Sequence, residues 1–315
     1  MRHVPLQAIT GAGLIGITWP VAWFQWEPWS LHSFFPLWLG YILLVDGLVR
    51  WRTGTSLLSR DKGRFIALFL ISAPGWWLFE AANERLHNWS YQTADSLSRW
   101  EFAVRATIAF STVVPAIFET AELFRSFSAF QRRIPIARLD PNRAGLCAIA
   151  ATGVLMIVIA VTFPDWAYPL TWIGAFLALD PINRLLGARS LAGRIAANDW
   201  SEVLTLFAAG LTCGFFWEMW NSRSSPKWFY DVPHIEMPKL FEMPLLGYGG
   251  YLPFALEIFV FYQFVTWLFL RQPDRYVMPA TAPASNSGSL TSRRQSGWTP
   301  ISPRSYNPGG REHGD

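Results

Sequence analysis

Eight stretches of the chain are dominated by apolar residues: 5–25, 33–50, 65–83, 103–126, 144–163, 168–185, 202–220 and 245–270. Short polar segments separate them. A helix needs about 20 such residues to cross the hydrocarbon of a bilayer. The pattern therefore predicts an all-α fold, a polytopic membrane helix bundle of about eight transmembrane helices. Three stretches carry proline: Pro74 before Gly75 breaks the third, Pro115 lies in the fourth and Pro253 in the eighth. Lipid offers no donor to a carbonyl freed by proline, so these helices are expected inside the bundle, where neighbours can repair them. The start Met1-Arg2-His3 precedes an uncharged run from Val4 to Trp26 with no small-residue cleavage site after it. It reads as a retained first span.

Composition agrees with that pattern. Only 15% of the 315 residues are charged and 51% are hydrophobic, against about 25% charged in an ordinary soluble chain. Eighteen Trp and 24 Phe suit the two interfaces of a membrane. The net charge of +4 matters less than its placement. Residues 50–64, 125–143 and 184–194 hold thirteen Lys and Arg, whereas 85–105 and 223–239 hold six. Positive residues mark cytoplasmic connections, so both termini are expected in the cytoplasm, in a bacterial inner membrane. From Gln272 onward the chain turns rich in Ser, Pro, Gly and Arg and reads as a disordered tail.

The chain also repeats itself. Trp38, Gly40, Leu43, Asp46, Arg50, Ser56, Leu57 and Arg60 recur 134 positions later as Trp172, Gly174, Leu177, Asp180, Arg184, Ser190, Leu191 and Arg194. After a slip in one loop, Glu80, Asn83, Arg85, Pro115 and Glu119 recur 138 positions on as Glu218, Asn221, Arg223, Pro253 and Glu257. Between them Trp89-x-Tyr91 answers Trp228-x-Tyr230. Apolar sequences match one another cheaply, but polar residues recurring in order do not. Two four-helix units of the same orientation are implied, with an axis along the membrane normal. The expected organisation is a first repeat over 1–130, a linker over 131–143, a second repeat over 144–271 and the tail over 272–315.

Buried acids are the first candidates for chemistry, because a charge at mid-bilayer costs roughly 2.5–3.5 kcal/mol. Glu257 stands 14 residues before Arg271 and Glu119 stands 13 before Arg132, about 20 Å from the inner surface at helical rise. Each follows a proline by four residues, so it could meet the freed carbonyl one turn up. Glu80 and Glu218 lie toward the outer ends of their helices, with Asn83 and Asn221 one turn on. Arg85, Arg223, Trp89, Trp228, Tyr91 and Tyr230 follow in the outer loops. These twelve residues form the candidate site: Glu119, Glu257, Glu80 and Glu218 as catalytic acids, the others as substrate-binding groups. Arg85 and Arg223 are expected to pair with the nearby acids. Trp76, Trp77, Trp217 and Trp220 flank Glu80 and Glu218 and are candidates to line a cavity. Asp46 with Arg50 and Asp180 with Arg184 have the i, i+4 spacing of structural ion pairs.

Other chemistry lacks a signature. Cys147 and Cys213 sit in apolar runs, which argues against a disulfide framework or a thiolate metal site. There is no histidine box, phosphate loop or basic–aromatic interleaving. His87 and His234 fall in outer loops without ligand spacing. No metal, no cofactor and no nucleic-acid partner is expected. Membrane lipids, and a lipophilic substrate among them, are the expected partners.

The stretch Gly214–Glu257, which includes Trp217, Glu218, Asn221 and Trp228, resembles a set of bacterial multi-spanning membrane proteins. That resemblance covers most of the chain and implies no activity. The order Trp89, Tyr91, Pro115, Glu119, repeated as Trp228, Tyr230, Pro253, Glu257, also resembles the duplicated lycopene-cyclase domain of membrane carotenoid and terpenoid cyclases. That family has Pro-x-Glu-Glu where this chain has Pro-x-x-x-Glu. The likeness implies acid–base chemistry on an isoprenoid or similar lipid. A proton- or ion-coupled transporter and a structural subunit of a membrane complex are the alternatives.

Overall fold

The polar backbone of an apolar segment in lipid must close its own hydrogen bonds, and long helices do so without help from neighbours. The structure, a computed structural model, describes residues 3–92, 97–234 and 237–279, all within one folded unit. In chain order its helices are α1 (Leu6–Trp23), α2 (Phe34–Thr53), the short α3 (Leu57–Arg60), α4 (Lys62–Leu86), α5 (Arg99–Phe110), α6 (Val113–Arg125) and the short α7 (Ser128–Gln131). There follow α8 (Arg143–Thr162), the short α9 (Pro164–Ala167), α10 (Pro169–Leu186), the short α11 (Leu191–Ala196), α12 (Ser201–Asn221) and α13 (Tyr251–Leu270). Among the described residues six helices are long and apolar enough to cross a membrane: α2, α4, α5 joined with α6, α8, α12 and α13 with the turn before it. The chain is therefore an integral membrane protein by length and composition. Helices α1 and α10 cover the other two expected stretches but are not among the six.

Two helix pairs close in the same manner. A Cβ added to Gly11 of α1 would overlap the α2 backbone at Gly40 and Leu44. One added to Gly153 of α8 would overlap the α10 backbone at Gly174 and Ala178. Small residues at a crossing let backbones touch, which is the main attraction left to helices that already sit in lipid. Inside these pairs α2, α6, α12 and α13 supply most of the core, including Trp38, Ile117, Phe118, Leu206 and Phe259.

The two expected i, i+4 ion pairs do not form. Asp46 accepts hydrogen bonds from the Leu58 N–H (2.9 Å), the Ser56 hydroxyl (2.9 Å) and Gln7 (3.1 Å), while Arg50 donates to Gln7. Asp180 accepts from the N–H groups of Leu191 (2.7 Å) and Ala192 (2.8 Å), and Arg184 reaches Asp140 instead. Short helices α3 and α11 begin with unsatisfied N–H groups fixed in space. A buried carboxylate gains more from that preformed array than from a long cation with many rotamers.

Proline acts differently at its three sites. Helix α4 runs unbroken through Pro74, contrary to the sequence expectation, and much of it lies on the surface of the bundle. The break comes instead at Ser111–Thr112, between α5 and α6, just before Pro115. Ser72 of α4 repairs it: its hydroxyl accepts from the Val114 N–H (3.0 Å) and donates to the Phe110 carbonyl. Pro253 is the third residue of α13, where no donor inside the helix is lost.

Outside the helices, strands β1 (Trp89–Tyr91) and β2 (Trp228–Tyr230) pair antiparallel, with Trp89 opposite Tyr230, Ser90 opposite Phe229 and Tyr91 opposite Trp228. Strands β3 (Lys239–Leu240) and β4 (Met243–Pro244) form a small hairpin. At the other end of the bundle, residues 274–279, expected as part of a disordered tail, pack against the helices. Tyr276, Val277 and Met278 are buried. Asp274 pairs with Arg64, the Met278 N–H donates to Glu122 (2.7 Å), and the Val277 and Met278 carbonyls accept from Arg189 (2.7 and 2.6 Å). Residues 280–315 lie outside the described residues.

Candidate functional site

The ribbon of β1 and β2 is pinned to the helix ends by the two asparagines. Asn83 donates to the Trp89 carbonyl (2.8 Å) and accepts from the N–H groups of Asn88 (2.9 Å) and Trp89 (3.2 Å). Asn221 donates to the Trp228 carbonyl (2.8 Å) and accepts from the Trp228 N–H (2.9 Å). An amide carries both donors and acceptors, so one side chain can replace the strand partner that each edge lacks. Asn83 and Asn221 thus position the ribbon and do not line the space beneath it.

One turn back stand the two acids. Glu80 Oε1 accepts from the indoles of Trp76 (2.9 Å) and Trp89 (3.1 Å) and from the Tyr91 hydroxyl (2.6 Å). Glu218 Oε1 accepts from the hydroxyls of Tyr230 (2.7 Å) and Tyr251 (2.6 Å), and Trp228 Nε1 donates to the Tyr230 oxygen (2.8 Å). The second Glu218 oxygen is buried without a partner. Burial first, and then the adjacent carboxylate, pushes the Tyr91 and Tyr230 hydroxyls well above the usual tyrosine range.

The rings so held wall a cavity of about 420 Å³ under the ribbon. Trp76, Trp89 and Tyr91 face it from the first half of the chain; Trp172, Trp217, Trp228, Tyr230, Tyr251 and Phe254 face it from the second. Its size lies in the range of small-ligand sites, which are mostly apolar with a few placed polar groups. Of the four flanking tryptophans, Trp76 and Trp217 line the cavity. Trp77 instead donates to Thr107, and Trp220 packs against Trp38 with ring centroids 5.0 Å apart.

The remaining candidates lie elsewhere. Arg85 forms no ion pair among the described residues and lines a separate hollow of about 410 Å³ with His87, Asp165 and Asp231. Arg223 lies over the Trp23 ring at 5.4 Å. Each arginine is five residues past its acid, about 140° around the helix, and so points away from it. Glu119 and Glu257 are buried, yet no carboxyl oxygen of either has a hydrogen-bond partner. Neither meets a freed carbonyl, and neither lines the ribbon cavity.

Sequence reasoning missed Tyr251, Trp172, Phe254 and Arg105, all of which line the cavity. A signal for Tyr251 was present. Gly214 stands where the 138-residue offset places Trp76, so Glu218 lacks the indole donor one turn before it. Tyr251 fills the vacated space, its ring lying where a Cβ on Gly214 would go.

His234 stacks on Trp166 with ring centroids 4.0 Å apart. Among the described residues no three His, Cys, Asp or Glu side chains are grouped to hold a metal ion. Compared with protein-family models, curated proteins and solved structures, the chain matches none.

Proposed function

We propose that this chain is a membrane-embedded enzyme: an eight-span bundle doubled from a four-helix unit, acting on an isoprenoid or other lipid held in the ribbon cavity. The observation that carries this reading is the coupling of acid to ring. The half-buried Glu80 holds the Tyr91 hydroxyl and the buried Glu218 holds those of Tyr230 and Tyr251, and the three rings wall one largely apolar cavity. A hydroxyl bonded to a carboxylate can pass a proton to a bound lipid or take one away, as general acid–base catalysis requires. The surrounding π faces stabilise positive charge that develops on the ligand. In this reading Tyr91, Tyr230 and Tyr251 touch the lipid, and Glu80 and Glu218 stand behind them as proton stores.

The doubling draws support from matched details. The Gly11/Gly40 and Gly153/Gly174 crossings, the Asp46 and Asp180 caps and the Asn83 and Asn221 anchors occupy corresponding positions. The ribbon register pairs each Trp-x-Tyr element with its own counterpart, as a two-fold axis through Ser90 and Phe229 requires. The ribbon also unites the two Trp-x-Tyr elements behind the resemblance to the lycopene-cyclase domain. On the positive-inside rule the ribbon and cavity lie at the outer face of a bacterial inner membrane, with both termini in the cytoplasm.

The test begins with mass spectrometry of lipids retained by the purified protein, then follows turnover of the lipid identified. Glu80→Gln with Glu218→Gln is expected to cut turnover by about a hundredfold, the low end of general acid–base catalysis. Full turnover in that double variant would overturn the reading. A second reading, proton-coupled transport, draws on the unpartnered Glu119 and Glu257. Absence of proton flux in proteoliposomes would remove it.

A further inference from the structure

The wall of the ribbon cavity is not wholly apolar. Arg105, in the middle of α5, lines it between Phe102 and Ala109. It is half-buried, and among the described residues it makes no hydrogen bond and no ion pair within 4 Å. Glu101, one turn before it, attracts it through space but makes its hydrogen bonds at the α5 N-terminus, where it accepts from the Ser98 hydroxyl (2.6 Å) and N–H (3.0 Å). The cavity's other cation, Lys227, is already paired with Glu242 at 2.6 Å. Glu80 and Glu218 are turned away behind the ring wall.

A guanidinium in an apolar wall with no contact ion pair among the described residues is costly, and such groups in membrane proteins face a partner or a pathway. Its planar fork of donors fits the oxygens of a phosphate better than any neutral head. We infer that the cavity takes a lipid with a phosphate head, its chain among the tryptophans and its phosphate on Arg105. This rests on the proposed lipid site and narrows it: a lipid alcohol or hydrocarbon would fill the rings and leave Arg105 unpaired.

Two probes with one chain test the inference: farnesol and farnesyl phosphate, titrated into the full-length protein in neutral phosphatidylcholine nanodiscs and read by tryptophan fluorescence. Farnesyl phosphate is expected to bind about tenfold tighter, the scale of one charge-assisted contact. Arg105→Gln should bind both probes equally, and Arg105→Lys should keep part of the preference, which also shows that position 105 tolerates change. Inorganic phosphate at millimolar concentration should not displace farnesyl phosphate; displacement would mark a free-phosphate site and overturn the lipid assignment. Equal binding of both probes to the unaltered protein, or a preference that survives Arg105→Gln, overturns the inference and leaves the lipid cavity standing. If neither probe binds, the cavity reading falls with it.

Discussion

The positions around Trp38 and Trp172 match at an offset of 134 residues, yet one is solid and the other hollow. Trp38 is fully buried, with Trp217, Trp220 and Tyr41 closing on it at ring-centroid distances of 4.9, 5.0 and 5.1 Å. At the matched positions in the other half, Tyr41 becomes Ala175 and Trp220 becomes Ala82. The neighbours of Trp172 stand further off: Phe79 at 5.6 Å, Phe254 at 6.2 Å and Trp89 at 6.3 Å. With two large rings replaced by methyl groups, the rings around Trp172 pack less tightly than those around Trp38, and Trp172 lines the cavity. Matched sequence positions can thus carry tight ring packing in one place and looser packing beside a cavity in the other.

The largest effect that should separate the two regions is on stability. Trp38→Ala is expected to cost about 3–5 kcal/mol, as for a fully enclosed Trp. Trp172→Ala, at the edge of an existing space, should cost about 1 kcal/mol. Unfolding of both variants in the same detergent measures the difference, and equal losses would erase the contrast. The converse change, Ala175→Tyr with Ala82→Trp, should add rings beside Trp172 and press that wall into the cavity. Binding of farnesol should then fall below detection while the protein stays folded. Retained binding would place the ligand elsewhere.

The two acids allow a finer comparison. Glu80 takes an indole donor from Trp76 on its own helix, whereas Glu218 takes a hydroxyl donor from Tyr251 on the next helix. Gly214→Trp alone should overpack against Tyr251 and cost about 1–3 kcal/mol. Tyr251→Val alone removes one donor from a buried acid and should cost about 1–3 kcal/mol. Together they rebuild at Glu218 the arrangement seen at Glu80. The pair should cost less than the two single changes added, by about 0.5–3 kcal/mol of coupling. Strict additivity would show that the two solutions are not interchangeable.

Long apolar runs made the helices legible, since a helix depends on neighbours along the chain. Partners distant in sequence were not. Asp46 and Asp180 carry the spacing of ion pairs, but the preferred N–H groups belong to α3 and α11, ten or more residues on. Pro74 reads as a break, yet the gap opens before Pro115 because Ser72 can repair the backbone there. The segment from Asp274 to Pro279 stands at the head of a stretch rich in Ser, Pro, Gly and Arg and reads with it as a solvated tail. It is ordered because Arg64, Arg125 and Arg189, from three different parts of the chain, take its carboxylate and carbonyls. Composition describes what a segment can do alone; it cannot report cations waiting elsewhere. The cavity suffered the same fate, since its walls come from residues far apart along the chain, such as Trp76, Trp172 and Trp217.

The smallest predicted difference concerns the ring wall itself. Burial is the leading cause that holds the Tyr91 and Tyr230 hydroxyls neutral, and the neighbouring carboxylate comes second. A hydroxyl whose folded pKa lies above its unfolded value contributes stability that is whole below about pH 10, the ordinary tyrosine range, and drains away as pH rises toward the folded value. Tyrosinate absorbance during an alkaline titration should therefore show two phases: exposed tyrosines first, then Tyr91 and Tyr230 only as the protein unfolds. Tyr91→Phe with Tyr230→Phe should reduce the second phase and spare the first. Glu80→Gln should move Tyr91 down only modestly, because it removes the lesser cause and leaves the burial. If the double variant shrinks the first phase instead, water reaches those hydroxyls in the native state, and the cavity is a wet vestibule rather than a site walled by rings.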